Sequence, residues 1–257
     1  MELTLDPRCL ETYARSASQQ ARCLSEGWAE ENLYCANCLQ PKLLVEKPGN
    51  RVFDFRCPQC RQTFNLKASM RPFEVRVADG QYDVFMRSVE DRINTNLVLM
   101  HYDRPRLVVL DLELIPQFFF TTSSVIPRNP TQPKSRSKPW RGCDISLAMV
   151  PEDGHVTLVK DERIEHREKV HETYQRTAKL LLQKSLRGRG WTTDVLRCVR
   201  DLRKSSFTLQ DVYAYERKLQ TLHPENKNVR PKIRQQLQVL RDHSFIVFEG
   251  KGQYRLT

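Results

Sequence analysis

The sequence lacks a long hydrophobic run. No stretch approaches the roughly 20 apolar residues that a membrane-spanning helix needs, which argues against an integral membrane protein. The first residues, MELTLDPRCL, also lack a basic segment followed by an apolar one, so a signal peptide is not expected. We therefore expect a cytoplasmic protein. Thiols stay reduced in that compartment, so paired cysteines point first to metal binding.

Charge is distributed unevenly along the 257 residues. Residues 186–257 hold 15 Lys and Arg against 7 Asp and Glu, a net charge of +8, whereas residues 1–185 carry +3. A small, strongly basic segment attached to a nearly balanced one is typical of a module that binds a polyanion. The alternative is a basic surface that only keeps the protein in solution. The hydrophobic content of 39% supports packed domains rather than wholesale disorder.

Hydrophobic periodicity and turn residues predict the main elements. Apolar residues at helical spacing predict helices over 7–31, 81–94, 164–184 and 229–242, and apolar runs predict strands over 97–102, 107–112 and 156–160. Residues 123–142 are rich in Pro, Ser and basic residues and predict a long surface loop. The paired glycines of 185–190 predict an interdomain linker, which divides the chain into domains 1–185 and 186–257.

Four cysteines form two Cys-x-x-Cys pairs separated by 18 residues: Cys35 with Cys38, and Cys57 with Cys60. Two thiolates three positions apart hold one side of a tetrahedral ion, and a second pair completes the shell. This spacing predicts a zinc site. Since the protein would fill all four coordination positions, the zinc would be structural.

An acid, an amide and a lysine lie on two segments with strand character around the second cysteine pair. Asp54 lies in the first segment, and Asn65 and Lys67 lie two residues apart in the second. Residues at i and i+2 of a strand point to one face, so these side chains can converge. Oxygen ligands from Asp54, Asn65 and the Leu66 carbonyl would suit Mg²⁺, and Lys67 would stand near a phosphate. Taken alone, the spacing is weak, because Asp and Lys on strands usually face solvent.

The C-terminal segment has the element order of a winged helix. Thr208 and Asp211 form a capping-box variant that opens a helix, the helix 229–242 follows, and 244–249 and 253–256 flank a tight turn. Winged helices also mediate protein contacts, but the net charge favours nucleic acid. Glutamine reads adenine edges in the major groove, and basic side chains bind phosphate. The residues we expect to contact DNA here are Arg230, Lys232, Arg234, Gln235, Gln238 and Lys251.

Trp140 lies in the predicted basic loop between Lys138 and Arg141. An exposed tryptophan in such a loop would stack on a base or wedge into a groove. A tryptophan that only anchors the loop to the core explains the sequence equally well.

The chain resembles the Dam-replacing family of restriction endonucleases along almost its whole length, through 35–67, 80–82, 140–143 and 189–192 and most clearly at 232–242. The resemblance implies a mixed α/β (α+β) nuclease domain of the PD-(D/E)xK type with an embedded zinc ribbon, followed by a winged helix. It implies a Mg²⁺-dependent type II endonuclease, which we expect to act as a monomer. The implied substrate is double-stranded DNA, cleaved at GATC that contains N6-methyladenine. Asp54, Asn65 and Lys67 would be the catalytic residues.

One position departs from the family pattern, which has an acid where this chain has Asn65. An amide oxygen contributes no charge to a metal site. Either a nearby acid such as Glu74 or Glu31 substitutes, or cleavage is weakened or absent. The alternative function is therefore a reader of adenine-methylated DNA with a disabled nuclease site. A transcription factor unrelated to nucleases would leave the Asp54 and Lys67 pattern unexplained.

Overall fold

The computed structural model describes residues 1–13, 16–46, 53–131, 140–182 and 184–257. This part of the chain folds into two compact units, and each unit is built from three chain segments. The first unit comprises Met1–Glu74, Ile93–Gln117 and Gly154–Gln175. The second comprises Val75–Arg92, Phe118–Asp153 and Arg176–Thr257.

The described residues contain eight α-helices and thirteen β-strands. The helices are α1 (Arg8–Thr12), α2 (Ala17–Asn32), α3 (Tyr82–Glu90), α4 (Arg167–Leu181), α5 (Leu186–Asp201), α6 (Leu209–Tyr213), α7 (Glu216–Leu222) and α8 (Val229–Asp242). The strands are β1 (Leu44–Val45), β2 (Phe55–Arg56), β3 (Thr63–Ser69), β4 (Arg76–Gln81), β5 (Asn96–Asp103), β6 (Val108–Ile115), β7 (Val125–Pro127), β8 (Gly142–Ser146), β9 (Val156–Lys160), β10 (Arg163–Ile164), β11 (Ser206–Thr208), β12 (Ile246–Gly250) and β13 (Gln253–Leu256).

The first unit is organised around a seven-stranded sheet in the order β1-β2-β3-β5-β6-β9-β10. Strands β3 and β5 are parallel, and the other neighbours are antiparallel. Side chains alternate across each strand, and one face is apolar and buried, as Phe64, Val98 and Leu112 show. The opposite face carries half-buried polar side chains on β3 and β6. The sheet therefore has one face for the core and an opposite face that is accessible in part, since Leu97 and Leu99 on that face are buried.

A second sheet, in the order β4-β8-β7, packs with α3 in the second unit. Its small core consists of Met86, Val125 and Cys143, with Tyr82 and Phe85 packed against it. The strand β7 lies inside 123–142, so the prediction of a continuous loop there is wrong for the described residues. Positions 132–139 of that loop lie outside the described residues.

The same unit contains the winged helix, formed by α5 to α8 and the sheet β11-β13-β12. The capping box at the start of α6 is present: Thr208 Oγ1 accepts from the Asp211 N–H, and the Asp211 carboxylate accepts from the Thr208 N–H. Helix α8 begins and ends where the sequence predicts, and it buries Val229, Ile233 and Leu237 as expected.

The predicted linker at 185–190 is wrong, because α5 begins at Leu186. The Ser185 side chain caps it by accepting from the Gly188 N–H at 3.2 Å. Gly190 does not bend the chain but lies inside the helix, where a Cβ atom would meet the His223 ring at the ordinary contact distance of 3.4 Å. Glycine pairs mark linkers only when nothing packs against them.

The predicted fold class is confirmed. The protein is a mixed α+β structure with a central sheet, a C-terminal helix-turn-helix domain, and a four-cysteine cluster consistent with a zinc ribbon. Among the described helices, none is both long and apolar enough to cross a bilayer.

Candidate functional sites

The four paired cysteines come together as the spacing predicts. Their sulfur atoms all lie within 4.8 Å of one another. The Sγ–Sγ distances are 3.5 Å for Cys35 with Cys60 and 3.5 Å for Cys38 with Cys57. In a tetrahedral shell with Zn–S bonds of about 2.3 Å, neighbouring sulfurs stand about 3.8 Å apart. The cluster therefore has the size and the donors that zinc requires.

The backbone of the two cysteine pairs repeats the same turn. The Leu39 N–H donates to the Cys35 carbonyl at 2.8 Å, and the Arg61 N–H donates to the Cys57 carbonyl at 3.1 Å. Leu39 and Arg61 adopt φ angles of 60° and 61°, in the left-handed region. Two matched turns aim four sulfurs at one point, so the cluster can hold a metal ion with protein atoms alone.

Asp54, Asn65 and Lys67 lie on the accessible face of the central sheet. Phe55 pairs with Phe64 across β2 and β3, and both are buried. Alternation therefore turns Asn65 and Lys67 to the opposite face, and the Asp54 carboxylate, just before β2, accepts from the Leu66 N–H of the same strand β3; all three side chains are half-buried. The structure thus brings the three predicted residues to one surface of the sheet.

The Asp54 carboxylate is fixed by the strand beside it. Its Oδ2 accepts a hydrogen bond from the Leu66 N–H at 2.8 Å, and the Asp54 N–H donates to the Phe64 carbonyl at 3.0 Å. This places the carboxylate next to the Leu66 peptide. Asp54, Asn65 and the Leu66 carbonyl together offer oxygen donors. Asp54 contributes one negative charge, and Asn65 contributes none.

Neither acid suggested as a substitute for Asn65 gains support from the contacts. Glu31 forms an ion pair with Lys42 at 3.0 Å, and both side chains are exposed. Glu74 is exposed on the segment after β3.

Sequence reasoning missed a charged pair on helix α2 whose arginine is influenced by the charge of Asp54. Arg22 and Glu26 form an ion pair at 2.7 Å. The pKa of Arg22 is raised, mainly by its hydrogen bond to Glu26 and, more weakly, by the charge of Asp54. The i, i+4 spacing of the pair was the only signal in the sequence, and it does not distinguish this pair from an ordinary helix surface.

A cleft of about 160 Å³ opens on the accessible face of the same sheet. Strand register places it beside the predicted site, because Lys67 pairs with Leu99 and Leu99 with Glu113, while Ser69 pairs with His101 and His101 with Asp111. Paired residues on neighbouring strands point to the same face. The polar residues that line the cleft are His101, Asp111, Glu113, Thr157 and Lys160.

Helix α8 presents the predicted DNA-contacting residues on its outer face, where Arg230, Arg234, Gln235 and Gln238 are exposed and Lys232 is half-buried. Several of these side chains form ion pairs or hydrogen bonds with neighbouring residues. Arg230 forms an ion pair with Glu216 at 2.8 Å, Arg234 donates to the Tyr213 hydroxyl at 2.8 Å, and Lys232 donates to Gln235 at 2.8 Å. The helix therefore carries an ordered row of donors and cations.

Lys251 lies at the tip of the hairpin that joins β12 and β13. Gly250, Lys251 and Gly252 all have positive φ angles, of 94°, 47° and 75°. Glycine adopts such angles without strain, so the two glycines allow the sharp turn. Lys251 is exposed there, as a wing residue that contacts phosphate must be.

Trp140 is 44% exposed and belongs to the second unit. Its ring lies against the backbone of Gly142, where a Cβ atom would stand 2.6 Å from the nearest ring carbon. The next residue, Arg141, places its guanidinium 5.1 Å from the centre of the Tyr82 ring. The indole is thus both supported by the chain and accessible, which is compatible with either role considered for it.

Comparison with models of known protein families matches the chain in two adjoining parts. The model described as the DpnI, Dam-replacing family matches residues 1–184. The model described as the Dam-replacing HTH domain matches residues 187–256.

Proposed function

Because this chain belongs to the Dam-replacing family of methylation-dependent restriction endonucleases, we propose that it cuts double-stranded DNA at GATC sites containing N6-methyladenine. In this proposal it acts as a monomer, residues 1–185 cut the DNA, and residues 186–257 bind the modified site.

The observation that supports cleavage is the shared face of Asp54, Asn65 and Lys67. Hydrolysis of a phosphodiester needs oxygen donors for a divalent cation and a positive charge near the phosphate. Asp54, the Asn65 side-chain oxygen and the Leu66 carbonyl would hold Mg²⁺. When bound there, Mg²⁺ would supply a Lewis acid next to the phosphate.

The oxygen donor set suits Mg²⁺ in kind, but it contains a single carboxylate. Residues of the chain itself have two further roles in this proposal. The Leu66 N–H orients the Asp54 carboxylate at 2.8 Å, and Lys67, two residues along the same strand, places its ammonium group where charge develops on the phosphate.

The winged helix would read the DNA. Gln235 and Gln238 on the exposed face of α8 have the chemistry to bond adenine edges in the major groove. Arg230, Lys232 and Lys251 would bind phosphates and set the register. Trp140 would add an aromatic contact from the same compact unit.

A second candidate function is a reader of methylated DNA that no longer cuts. Asn65 favours it, because the predicted metal site lacks one of the charges that the family pattern supplies.

Incubating plasmid prepared with and without adenine methylation, in Mg²⁺ and separately in Mn²⁺, tests the proposal. We expect cleavage of the methylated plasmid alone, and faster cleavage in Mn²⁺, because Mn²⁺ binds a poor site more tightly than Mg²⁺. Binding of methylated DNA without cleavage in either metal would favour the reader. Equal treatment of both plasmids would refute methyl-directed function.

A further inference from the structure

His101 lies on the accessible face of the central sheet. It is on the strand next to that of Lys67, two residues beyond Leu99, the pairing partner of Lys67. It pairs with Ser69 on β3 and with Asp111 on β6, and it lines the cleft of about 160 Å³. We propose that His101, oriented by Asp111, is the general base that activates the attacking water during DNA cleavage. This inference rests on the proposed nuclease function.

The two side chains form a carboxylate–imidazole pair. His101 Nδ1 lies 2.8 Å from Asp111 Oδ2, and the side chains are 14% and 26% exposed. An ionised carboxylate only accepts hydrogen bonds, so Nδ1 must donate. The neutral ring then carries its lone pair on Nε2, as a general base requires.

Asp111 is itself held in place by groups other than His101. Its Oδ1 lies 3.2 Å from Lys160 Nζ and accepts from the Asp161 N–H at 3.2 Å. Burial acts to raise the pKa of Asp111, but hydrogen bonds from His101, the Asp161 N–H and Lys160 outweigh it and lower the pKa. The carboxylate therefore stays ionised at neutral pH and keeps the imidazole in one tautomer.

The distance to Lys67 allows both side chains to approach one phosphate. Adjacent strands lie about 4.8 Å apart, and two residues span about 6.6 Å along a strand, so the Cα atoms of Lys67 and His101 are about 8 Å apart. A lysine chain and a histidine ring on the same face can flank a phosphate and a water between them.

The chemical step conserves atoms and charge. The water oxygen forms a bond to phosphorus as His101 Nε2 takes its proton, and the bond between phosphorus and the leaving oxygen breaks. The leaving oxygen takes a proton from solvent. A base matters more in this chain than in one with an acid at position 65, because a weaker metal site acidifies water less.

A second carboxylate–imidazole pair in the same unit provides a matched control. His155 Nδ1 lies 3.1 Å from Glu113 Oε2, with 24% and 31% of the side chains exposed. Glu113 lines the cleft but His155 does not. If removing a half-buried imidazole only lowered stability, substituting His101 and substituting His155 would have similar effects.

The test compares H101Q, D111N and H155Q in the full, zinc-loaded chain, with single-turnover cleavage of a methylated duplex in Mn²⁺ and DNA affinity measured in parallel. We expect H101Q to cut about 10²–10³-fold more slowly with unchanged affinity. D111N should fall between H101Q and the native chain, and H155Q should cut at the native rate. A further variant, H101A, leaves space for a small base, so added imidazole should restore part of its rate.

The pH profile separates a base from a structural role. The charged groups that face His101 are Lys67 from β3, Asp111 and Glu113 from β6, and Lys160 at the end of β9. The native rate should depend on pH, and H101Q should lose part of that dependence, because it removes the group that takes the proton from water. H155Q should keep the whole dependence.

Two outcomes overturn the inference. Should H101Q cut at the native rate, or lose activity together with DNA affinity and without imidazole rescue of H101A, His101 is not the base, although the nuclease proposal stands. A native chain that binds methylated DNA but never cuts it overturns both.

Discussion

At the scale of single residues, position 65 is where the proposed nuclease site departs from the family pattern. Asp54 supplies the only charge among the predicted metal ligands, and Asn65 Oδ1 adds a dipole. We expect N65E to raise the cleavage rate in Mg²⁺, because a second carboxylate binds the cation more tightly. Rates measured across a Mg²⁺ titration would show the gain as a lower half-saturating concentration. An inert N65E variant would mean that these residues are not the metal site.

Removing the charged members of the same group should abolish cleavage. D54A takes away the remaining charged ligand, and K67A takes away the cation at the phosphate, so each should lower the rate by at least about 10³-fold. DNA affinity, measured by fluorescence anisotropy, should change little. K42A is a suitable control, since Lys42 is an exposed lysine of the same unit that pairs with Glu31. Cleavage by K67A at the K42A rate would contradict the assigned role.

The prediction that Asn65 and Lys67 share one face needs only strand alternation, which is a local property. The pairing of His101 with Asp111 could not be predicted in this way. A register shift between His101 and Tyr102 means that β5 and β6 do not pair residue for residue through the hairpin. A single extra residue changes which side chains face each other, and no residue type in this hairpin marks its place.

Among the structural elements, the paired cysteine turns carry a prediction about folding. Purified protein should contain one zinc ion per chain, and C57S should lose it together with much of the thermal stability of the first unit. Structural zinc sites contribute directly to folding, so the loss should be several kcal/mol. C198A is the matched control, because Cys198 is equally buried but lies outside the cluster. Zinc content and melting temperature in C57S equal to those of C198A would disprove the site.

Helix α8 and the wing should have separable effects on DNA binding. Q235A should relax sequence preference by about 1–3 kcal/mol, because it removes contacts to a base edge. K251A should weaken all sequences equally, because phosphates are the same at every site. Affinities for methylated GATC, unmethylated GATC and an unrelated duplex distinguish the two patterns. Equal weakening of all three duplexes by Q235A would place base reading elsewhere.

The sequence predicts helix α8 well and helix α5 poorly for a common physical reason. Periodic apolar residues report burial on one face, which α8 has. Eleven consecutive residues of α5, Arg189–Val199, are buried, including the polar residues Thr192, Asp194 and Arg197, so this stretch shows no contrast between faces. Gly188 and Gly190 lie inside this helix. In the sequence alone, two glycines so close together look like a break between elements.

For the whole molecule, the excess of positive charge predicts a strong dependence on salt. Each phosphate neutralised releases counterions, so log affinity should fall against log salt concentration with a slope of about −0.9 per phosphate contact. We expect K251A to reduce this slope by about one contact, and E225Q to leave it unchanged. A slope near zero in the native chain would show that the charge serves solubility instead.

Each compact unit brings together residues that lie far apart in the sequence. Trp140 precedes the predicted boundary at 185, yet it belongs to the same compact unit as α8 and the wing. Composition cannot reveal this, because the unit is assembled from three segments far apart in sequence. Methyl preference should therefore be measured in W140A as well as in variants of α8.

The exposure of Trp140 also matters for fluorescence measurements. The chain has three tryptophans, and Trp28 and Trp191 are only 3% and 2% exposed. Fluorescence that iodide, a charged quencher restricted to the surface, can quench therefore comes from the indole beside Gly142. The unlabelled protein contains its own site-specific reporter, and DNA that covers this indole would protect its emission from the quencher.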